Sequence, residues 1–179
     1  MIAALVESMT VNGYAGTSVA EVTRRAGVSR ETFYQQFPSK ENCFGAALDA
    51  AIDKLLEAVV AAPQPGGAAH QRCAQLVAAY LDAVAEQPAL ARMFLVEVYA
   101  AGPAAVRRRA ESQQRFVEVL TSIIGDGSVP GRFACEVLVA ALSEMVTNHL
   151  VTGDMAGLQA LQEPFAHLIA QAVGNSGRR

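Results

Sequence analysis

The chain has 179 residues, of which 52% are hydrophobic and 17% are charged, and its formal net charge is −3 at pH 7. This length supports one ordinary domain, or a small domain followed by a medium one. The net charge does not by itself indicate a nucleic-acid partner. The hydrophobic excess indicates a buried oligomer interface or a cavity lined by apolar side chains.

Neither a membrane span nor a disulfide framework is expected. The most apolar stretch, residues 133–151, contains Glu136 and Glu144, whereas a span needs about 20 nearly uncharged residues. The first residues lack a basic segment followed by an apolar core, so we expect no signal peptide and a cytoplasmic protein. The three cysteines are widely spaced and form no CxxC pair, which predicts small core residues in a reducing compartment.

The hydrophobic periodicity is helical throughout, and no run alternates apolar and polar residues as a strand does. The first helix places Ile2, Leu5 and Met9 on one face and is expected to stop at Asn12-Gly13. Later apolar stripes are separated by segments rich in Gly and Pro, at residues 63–67, 88, 102–103, 125–131 and 153–154. Pro164 interrupts the last stripe, where it either kinks that helix or lies in its first turn.

A stretch near the N-terminus, TSVAEVTRRAGVSRETFYQQF, predicts two short helices joined by a tight turn. Ser18 followed by Glu21 is a capping box that begins the first helix. Gly27 supplies the left-handed conformation of the turn, and Ser29 is an N-cap candidate for a second helix, Arg30 to Gln36. Two short helices joined in this way form a helix-turn-helix. Its small core would be closed by Val19, Val22, Ala26, Val28 and Phe33.

The segment from Gly13 to Phe44 closely resembles the DNA-binding domain of the TetR family of regulators. The resemblance rests on the residues GY-A-TSVAEV-RRAGVSRETFYQQFPSKE-CF and covers about a quarter of the chain. The remainder matches the family only in its succession of helices. We therefore predict an all-α protein of about nine helices, with a three-helix helix-turn-helix domain at residues 1–45 and a ligand-binding and dimerisation domain at residues 46–179.

The resemblance implies DNA contacts at matching positions. In a helix-turn-helix the second helix enters the major groove with its N-terminal residues first. Arg30 could donate to guanine O6 and N7, and Glu31 could accept from cytosine N4. The family makes base contacts at the positions of Arg30, Glu31 and Tyr34, and Ser29 lies at the tip of the same helix. The family contacts DNA phosphates at the positions of Ser18, Thr32, Gln36 and Lys40.

The resemblance also implies an apolar pocket among helices five to eight and a four-helix dimer interface formed by the last two helices of each subunit. Phe133 to Leu150 is apolar almost all round its helix, which predicts burial on two sides. Arg107 to Arg109 form either a solvated basic face or a site for an anionic group such as a coenzyme A phosphate. Candidate pocket residues are soft or polar side chains near apolar stripes: Tyr80, Met93, Phe94, Glu97, Gln113, Glu144, Thr147 and Asn148.

The sequence thus predicts a ligand-responsive transcriptional regulator, a repressor that binds a palindromic DNA operator as a homodimer and is released by a small, mostly apolar ligand. The alternative is a helical ligand-binding or dimerising protein whose DNA-binding end has decayed. It is motivated by residues 1–45, where four basic and four acidic side chains cancel. No GxSxG, P-loop, GxGxxG or metal-ligand spacing is present, so we expect no enzyme activity, cofactor or metal.

Overall fold

The computed structural model describes residues 1–62 and 66–176, and all regular secondary structure within them is helical. This confirms the predicted all-α class. The predicted loop at residues 63–67 lies mostly outside the described residues. The helices are α1 Ile2–Gly16, α2 Val19–Ala26, α3 Arg30–Gln36, α4 Lys40–Ala61, α5 Ala69–Glu86, α6 Pro88–Leu95, a 3-10 turn Glu97–Tyr99, α7 Pro103–Ile124, α8 Val129–Thr152, α9 Met155–Ala160 and α10 Gln162–Ser176.

The chain divides into two compact units that do not follow its order. The first unit joins residues 1–53 to residues 89–110, and the second joins residues 54–88 to the chain from residue 111 onward. The helix-turn-helix therefore shares a unit with α6, the 3-10 turn and the beginning of α7. A segment far along the chain is therefore part of the same unit as the helix-turn-helix.

Helix α1 is broken at Gly13, where the sequence predicts that it ends. Gly13 has φ 66° and ψ 176°, and one further helical turn follows it, to Gly16. This backbone conformation is essentially restricted to glycine, because a Cβ atom would clash with the backbone. The sequence therefore predicts the correct position at Asn12-Gly13, but the helix is broken there and does not end until Gly16.

Replacing Gly13 with alanine is expected to lower the free energy of unfolding by about 1–3 kcal/mol, the cost of a strained backbone conformation. A Cβ atom there would also lie 3.3 Å from Glu97 Oε2. Denaturant unfolding of the full chain measures the loss. The matched control is Gly127→Ala, since Gly127 has no left-handed φ and no atom within 4 Å of the added Cβ. Equal stability of the two variants would show that the Gly13 conformation is not strained.

The second unit is built around α5, which packs against α10 and α9. Its core includes the edge-to-face contact of Tyr80 with Phe116, whose ring centroids are 6.1 Å apart. Pro164 lies in the first turn of α10, a position where its missing N–H has no helical acceptor to lose. Of the two alternatives for this proline, the first-turn position is therefore correct.

All three cysteines are fully buried, as predicted. Burial raises the pKa of the Cys73 thiol to about 11, and the nearby Cys135 thiol contributes in the same direction. A thiol with a raised pKa stays protonated at neutral pH and is a poor nucleophile. These side chains act as small core residues.

Helix α8 is long enough and apolar enough, by length and composition, to cross a membrane. The core helix of a globular protein passes the same test, so this single helix is weak support for a span. Its acidic residues Glu136 and Glu144 also oppose insertion.

Candidate nucleic-acid interface

Serine side chains begin the three helices that build the candidate interface. The Ser18 hydroxyl accepts from the Glu21 amide at 3.2 Å, and the Ser29 hydroxyl accepts from the Thr32 amide at 3.0 Å. Ser39, which the sequence analysis did not single out, accepts from the amide of the third residue after it at 3.3 Å. Each serine satisfies one amide that has no partner inside its helix, and so fixes where that helix begins.

The turn between α2 and α3 forms as predicted. Gly27 has φ 67° and ψ 30°, the left-handed conformation that ends α2. Val22 and Phe33 are fully buried beneath the two helices. The side chain of Glu21 does not complete the predicted capping box; it accepts from Asn12 Nδ2 at 3.1 and 3.2 Å. This carboxylate ties α2 to α1 instead of closing its own cap.

Most of the predicted DNA contacts lie on the surface of the motif. On α3, Arg30 and Tyr34 are one helical turn apart and exposed, while Phe33 beside them is buried. The Tyr34 ring is 51% exposed and packs edge-on against Phe33, with centroids 5.5 Å apart. Thr32 is half-buried, and its hydroxyl shares a hydrogen bond of 2.9 Å with that of Ser29. Also exposed are Ser18, Ser29, Glu31 and Gln36.

Among the predicted DNA contacts Lys40 is the exception, because its ammonium forms hydrogen bonds with backbone carbonyls of the first unit. Lys40 Nζ donates to the carbonyl oxygens of Tyr14 and Thr17, each at 2.9 Å. It also lies 4.0 Å from the centre of the Tyr14 ring, a cation–π contact. Lys40 thus fastens the beginning of α4 to the end of α1, and its predicted phosphate contact stays a prediction.

The Tyr14 side chain connects α1 to α4 through two contacts. Its ring is buried against Phe44, with centroids 5.0 Å apart at 72°. Its hydroxyl donates to Glu41 Oε1 at 3.2 Å. Burial raises the pKa of the phenol well above its ordinary value, and the negative charge of Glu41 raises it further. The pKa of the Glu41 carboxyl is lowered mainly by its hydrogen bond with Ser39, next by the Glu41 backbone amide and to a lesser extent by the Tyr14 hydroxyl.

The raised pKa of Tyr14 predicts a loss of stability at alkaline pH. The neutral phenol is favoured in the folded state, whereas in the unfolded chain it ionises near its ordinary pKa of about 10. Stability is therefore fully present below pH 10 and falls as the pH rises from there toward the folded-state pKa. In Tyr14→Phe this fall should become shallower, although the lost hydrogen bond lowers stability by about 1 kcal/mol at pH 8.

Denaturant unfolding of both proteins between pH 8 and pH 11 checks this expectation. Tyr99→Phe is the matched control, because the Tyr99 ring is 58% exposed. Parallel curves for wild type and Tyr14→Phe would mean that the Tyr14 phenol does not govern the alkaline loss.

Glu97, predicted from the sequence to line a ligand pocket, contacts the backbone of α1. Glu97 Oε2 accepts a hydrogen bond of 2.7 Å from the Tyr14 amide. Glu97 and Met93 also border a small cleft whose other lining residues come from α1 and α6. The remaining lining residues are Val6, Met9, Thr10, Ala89 and Arg92.

The eight candidate ligand residues are divided between the two units. Met93, Phe94 and Glu97 belong to the first unit, and the others belong to the second. Met93 and Phe94 are buried. In the second unit Tyr80 is buried, whereas Gln113 and Thr147 are half-buried. The Thr147 hydroxyl donates to the Ser143 carbonyl within α8 at 2.7 Å.

The last two candidates, Glu144 and Asn148, are exposed and lie on one face of α8. Helical spacing places them on the same side as Phe133, Val137 and Val151. The three apolar side chains are 64%, 49% and 59% exposed. This apolar face of α8 (Phe133, Val137, Glu144, Asn148 and Val151) is a candidate surface for contact with a partner.

The arginine cluster at the beginning of α7 has partners within its own unit. Arg108 forms an ion pair with Asp49 of α4. The Arg109 guanidinium lies over the rings of Phe94 and Tyr99, at 6.0 and 5.5 Å from their centroids. Arg107 is exposed. The cluster is therefore not a set of three solvated cations.

Two contributors to the site, Ser39 and the Tyr14–Glu97 pair, were missed in the sequence. Ser39 followed by Asn42 has the same spacing as the two serine caps that were recognised, and this signal could have been read. The partner of Glu97 is 83 residues away in the chain, and no local pattern identifies it.

Comparison with known proteins agrees with this architecture. Residues 1–47 match the family of bacterial regulatory proteins described as the tetR family. The fatty acid metabolism regulator protein of Bacillus subtilis (strain 168) is 21% identical, over 98% of this chain and 94% of its own length.

Two solved structures share the fold across nearly the whole chain. A regulatory protein of the tetR family from Rhodococcus RHA1 has a TM-score of 0.76 and 23% identity, covering 96% of this chain and 94% of its own. The regulator FadR from Bacillus subtilis, solved with stearoyl-CoA, has a TM-score of 0.74 and 20% identity, covering 94% and 95%. Residues 1–47 therefore match the tetR family of bacterial regulatory proteins, and nearly the whole chain has the fold of these two solved structures.

Proposed function

We propose that the protein is a ligand-responsive transcriptional repressor that binds a palindromic operator as a homodimer and is released from DNA by a small, mostly apolar ligand. The observation that carries this proposal is the surface of α3. Arg30, Glu31 and Tyr34 are exposed there, on a helix whose first turn is capped by Ser29 and whose buried side is anchored by Phe33. A short helix presented in this way suits the major groove.

The neutral charge of the N-terminal region does not favour a decayed DNA-binding end. Two of its four carboxylates, Glu7 and Glu21, lie 3.5 and 3.6 Å from Arg25. A third, Glu41, accepts from Tyr14. These acidic groups have roles within the fold, and the low net charge follows from those roles rather than from loss of the reading surface.

Dimerisation through the apolar face of α8 is part of the proposal. An exposed apolar strip on a long helix is the usual mark of an interface between subunits. A twofold dimer would present two copies of α3 to successive major grooves, about 34–36 Å apart. Glu144 and Asn148, which interrupt this face, would then lie at its polar positions and not in a ligand pocket.

For the ligand, we propose in particular a long-chain acyl-CoA thioester, whose acyl chain is the apolar part and whose head group is polar and anionic. The support is similarity over nearly the whole chain to a fatty acid metabolism regulator and to FadR, which was solved with stearoyl-CoA. The hydrophobic fraction of 52% suits an acyl chain. We also propose that the protein acts in the cytoplasm and has no enzyme activity, as befits a transcriptional regulator.

Selection of bound sequences from random duplex DNA tests the proposed function. The purified wild-type protein should enrich a palindrome at moderate salt, because two symmetric reading heads contact two half-sites. Enrichment of no sequence over random DNA would reject operator recognition and favour the alternative of a ligand-binding or dimerising module.

The ligand class is tested on the selected operator by fluorescence anisotropy. Stearoyl-CoA is expected to weaken operator binding by about 5- to 150-fold, the usual range of coupling between two sites. Free coenzyme A is the control for the head group, and stearate is the control for the chain. Release by stearate alone would change the ligand class to fatty acids, and no effect of any of the three would reject it.

A further inference from the structure

Glu97 connects the later part of the chain to the helix-turn-helix. It lies in the 3-10 turn after α6, outside the residues that match the family's DNA-binding domain. Nevertheless it belongs to the same compact unit as the motif. Its carboxylate accepts the Tyr14 N–H at 2.7 Å, a short hydrogen bond to a charged acceptor.

The break in α1 explains why this amide requires an acceptor from elsewhere. Because Gly13 leaves the helical conformation, the amide that follows it lies at a discontinuity of the helix. A buried amide without an acceptor is costly, so it must be satisfied from outside the helix. The Gly13 position also has no Cβ atom, which allows the Glu97 carboxylate to approach within 3.3 Å of where that atom would be.

The same turn holds the groups that orient the reading motif. The Tyr14 carbonyl accepts from Lys40, the first residue of α4. Lys40 also holds the carbonyl of Thr17, the residue directly before the Ser18 cap of α2. All polar atoms of Tyr14 are thus occupied: the amide by Glu97, the carbonyl by Lys40 and the hydroxyl by Glu41.

We propose that Glu97 is a positioning residue for operator binding: its carboxylate fixes the Gly13–Tyr14 turn, and through Lys40 it holds the first residues of α2 and α4 in position relative to α1. Movement of the 3-10 turn would release the Tyr14 amide and loosen this arrangement. The turn is then a point through which residues 89–110 control DNA affinity. This inference rests on the proposed operator binding.

The direction of the change in operator affinity distinguishes a positioning role from the simple loss of a negative charge. DNA is polyanionic, so removing a carboxylate by itself should leave affinity unchanged or raise it. A positioning role predicts the opposite. Operator affinity is expected to fall about tenfold or more in Glu97→Ala, because each subunit of the proposed dimer loses a hydrogen bond to a charged group. Glu97→Gln, which keeps a neutral acceptor, should recover part of this loss.

Glu118→Gln is the matched control, because Glu118 is exposed on α7 and its substitution removes the same charge. It should bind the operator as tightly as wild type or more tightly. Amide hydrogen exchange at Tyr14, measured on the free proteins, should be faster in Glu97→Ala and unchanged in Glu118→Gln. Thermal unfolding identifies any variant that has simply failed to fold.

Two results would overturn the positioning role: operator affinity in Glu97→Ala equal to that of Glu118→Gln, or Tyr14 exchange unaffected by the loss of the carboxylate. Failure of the proposed function would differ, since the wild-type protein itself would show no operator preference. If Glu97 acted on stability alone, Glu97→Gln and the wild type would bind the operator equally at a temperature where both are fully folded. A positioning role predicts that their operator affinities differ at that temperature.

Discussion

Operator affinity is expected to fall about a hundredfold when Arg30 is replaced with alanine, because each of two subunits loses a base contact that contributes about 1–3 kcal/mol. Arg30 is the first residue of α3, and its side chain is exposed. A guanidinium at the tip of a reading helix can donate two hydrogen bonds to one guanine. Truncation should therefore reduce discrimination at one position of each half-site as well as overall affinity.

The matched control for this variant is Arg24→Ala. Arg24 is exposed in the last turn of α2, so its removal takes away the same charge from the same motif. If Arg24 contacts phosphate or solvent, its loss should weaken binding to all sequences about equally and make binding less dependent on salt. Only the Arg30 variant should change the selected sequence.

Binding measured for both variants against the operator and its single-base substitutions separates the two roles. If Arg30→Ala weakened binding to every sequence equally and selected the same palindrome as wild type, Arg30 would be a phosphate contact. Glu31 and Tyr34 would then be left as the base-contact residues on α3.

The helix-turn-helix could be predicted from the sequence because its signals are local. A serine cap acts on the amide two or three residues later, and Gly27 takes its left-handed conformation within a single turn. Such interactions are set by a few neighbouring residues and need no knowledge of the rest of the fold. The bounds of α2 and α3 followed from these signals alone.

The role of Glu97 could not be predicted in the same way. The sequence showed a carboxylate within an apolar stretch, which had to be paired, exposed or bound to a ligand. The structure shows one partner for it, the Tyr14 amide. Which of many distant groups satisfies a buried carboxylate depends on the tertiary arrangement, which local patterns do not contain.

The outward face of helix α8 also could not be predicted from the sequence. Its sequence is apolar almost all round, so periodicity alone identified no outward face, and Glu144 and Asn148 were interpreted as pocket residues. In the structure Leu138 and Val146 face the core, while Phe133 and Val137 are exposed. Only the packing of the unit separates the two faces, and it places Glu144 and Asn148 on the exposed face proposed for the dimer interface.

Replacement of Phe133 with glutamate is expected to convert the proposed dimer to a monomer. The Phe133 ring is 64% exposed in the single subunit, so the substitution does not disturb the core. In a twofold interface every substitution occurs twice, and two carboxylates would be buried without partners. Dissociation should in turn lower operator affinity by about 10²- to 10⁴-fold, since a monomer holds only one half-site.

Sedimentation measures the oligomeric state, and anisotropy on the selected operator measures the affinity. Val60→Glu is the matched control, because Val60 is 55% exposed on α4 and lies outside the apolar face of α8. It should remain dimeric and bind DNA as wild type does. A Phe133→Glu protein that stays dimeric would exclude the apolar face of α8 as the interface, whereas a folded monomer with weak operator binding would show that two linked reading helices are needed to hold the operator.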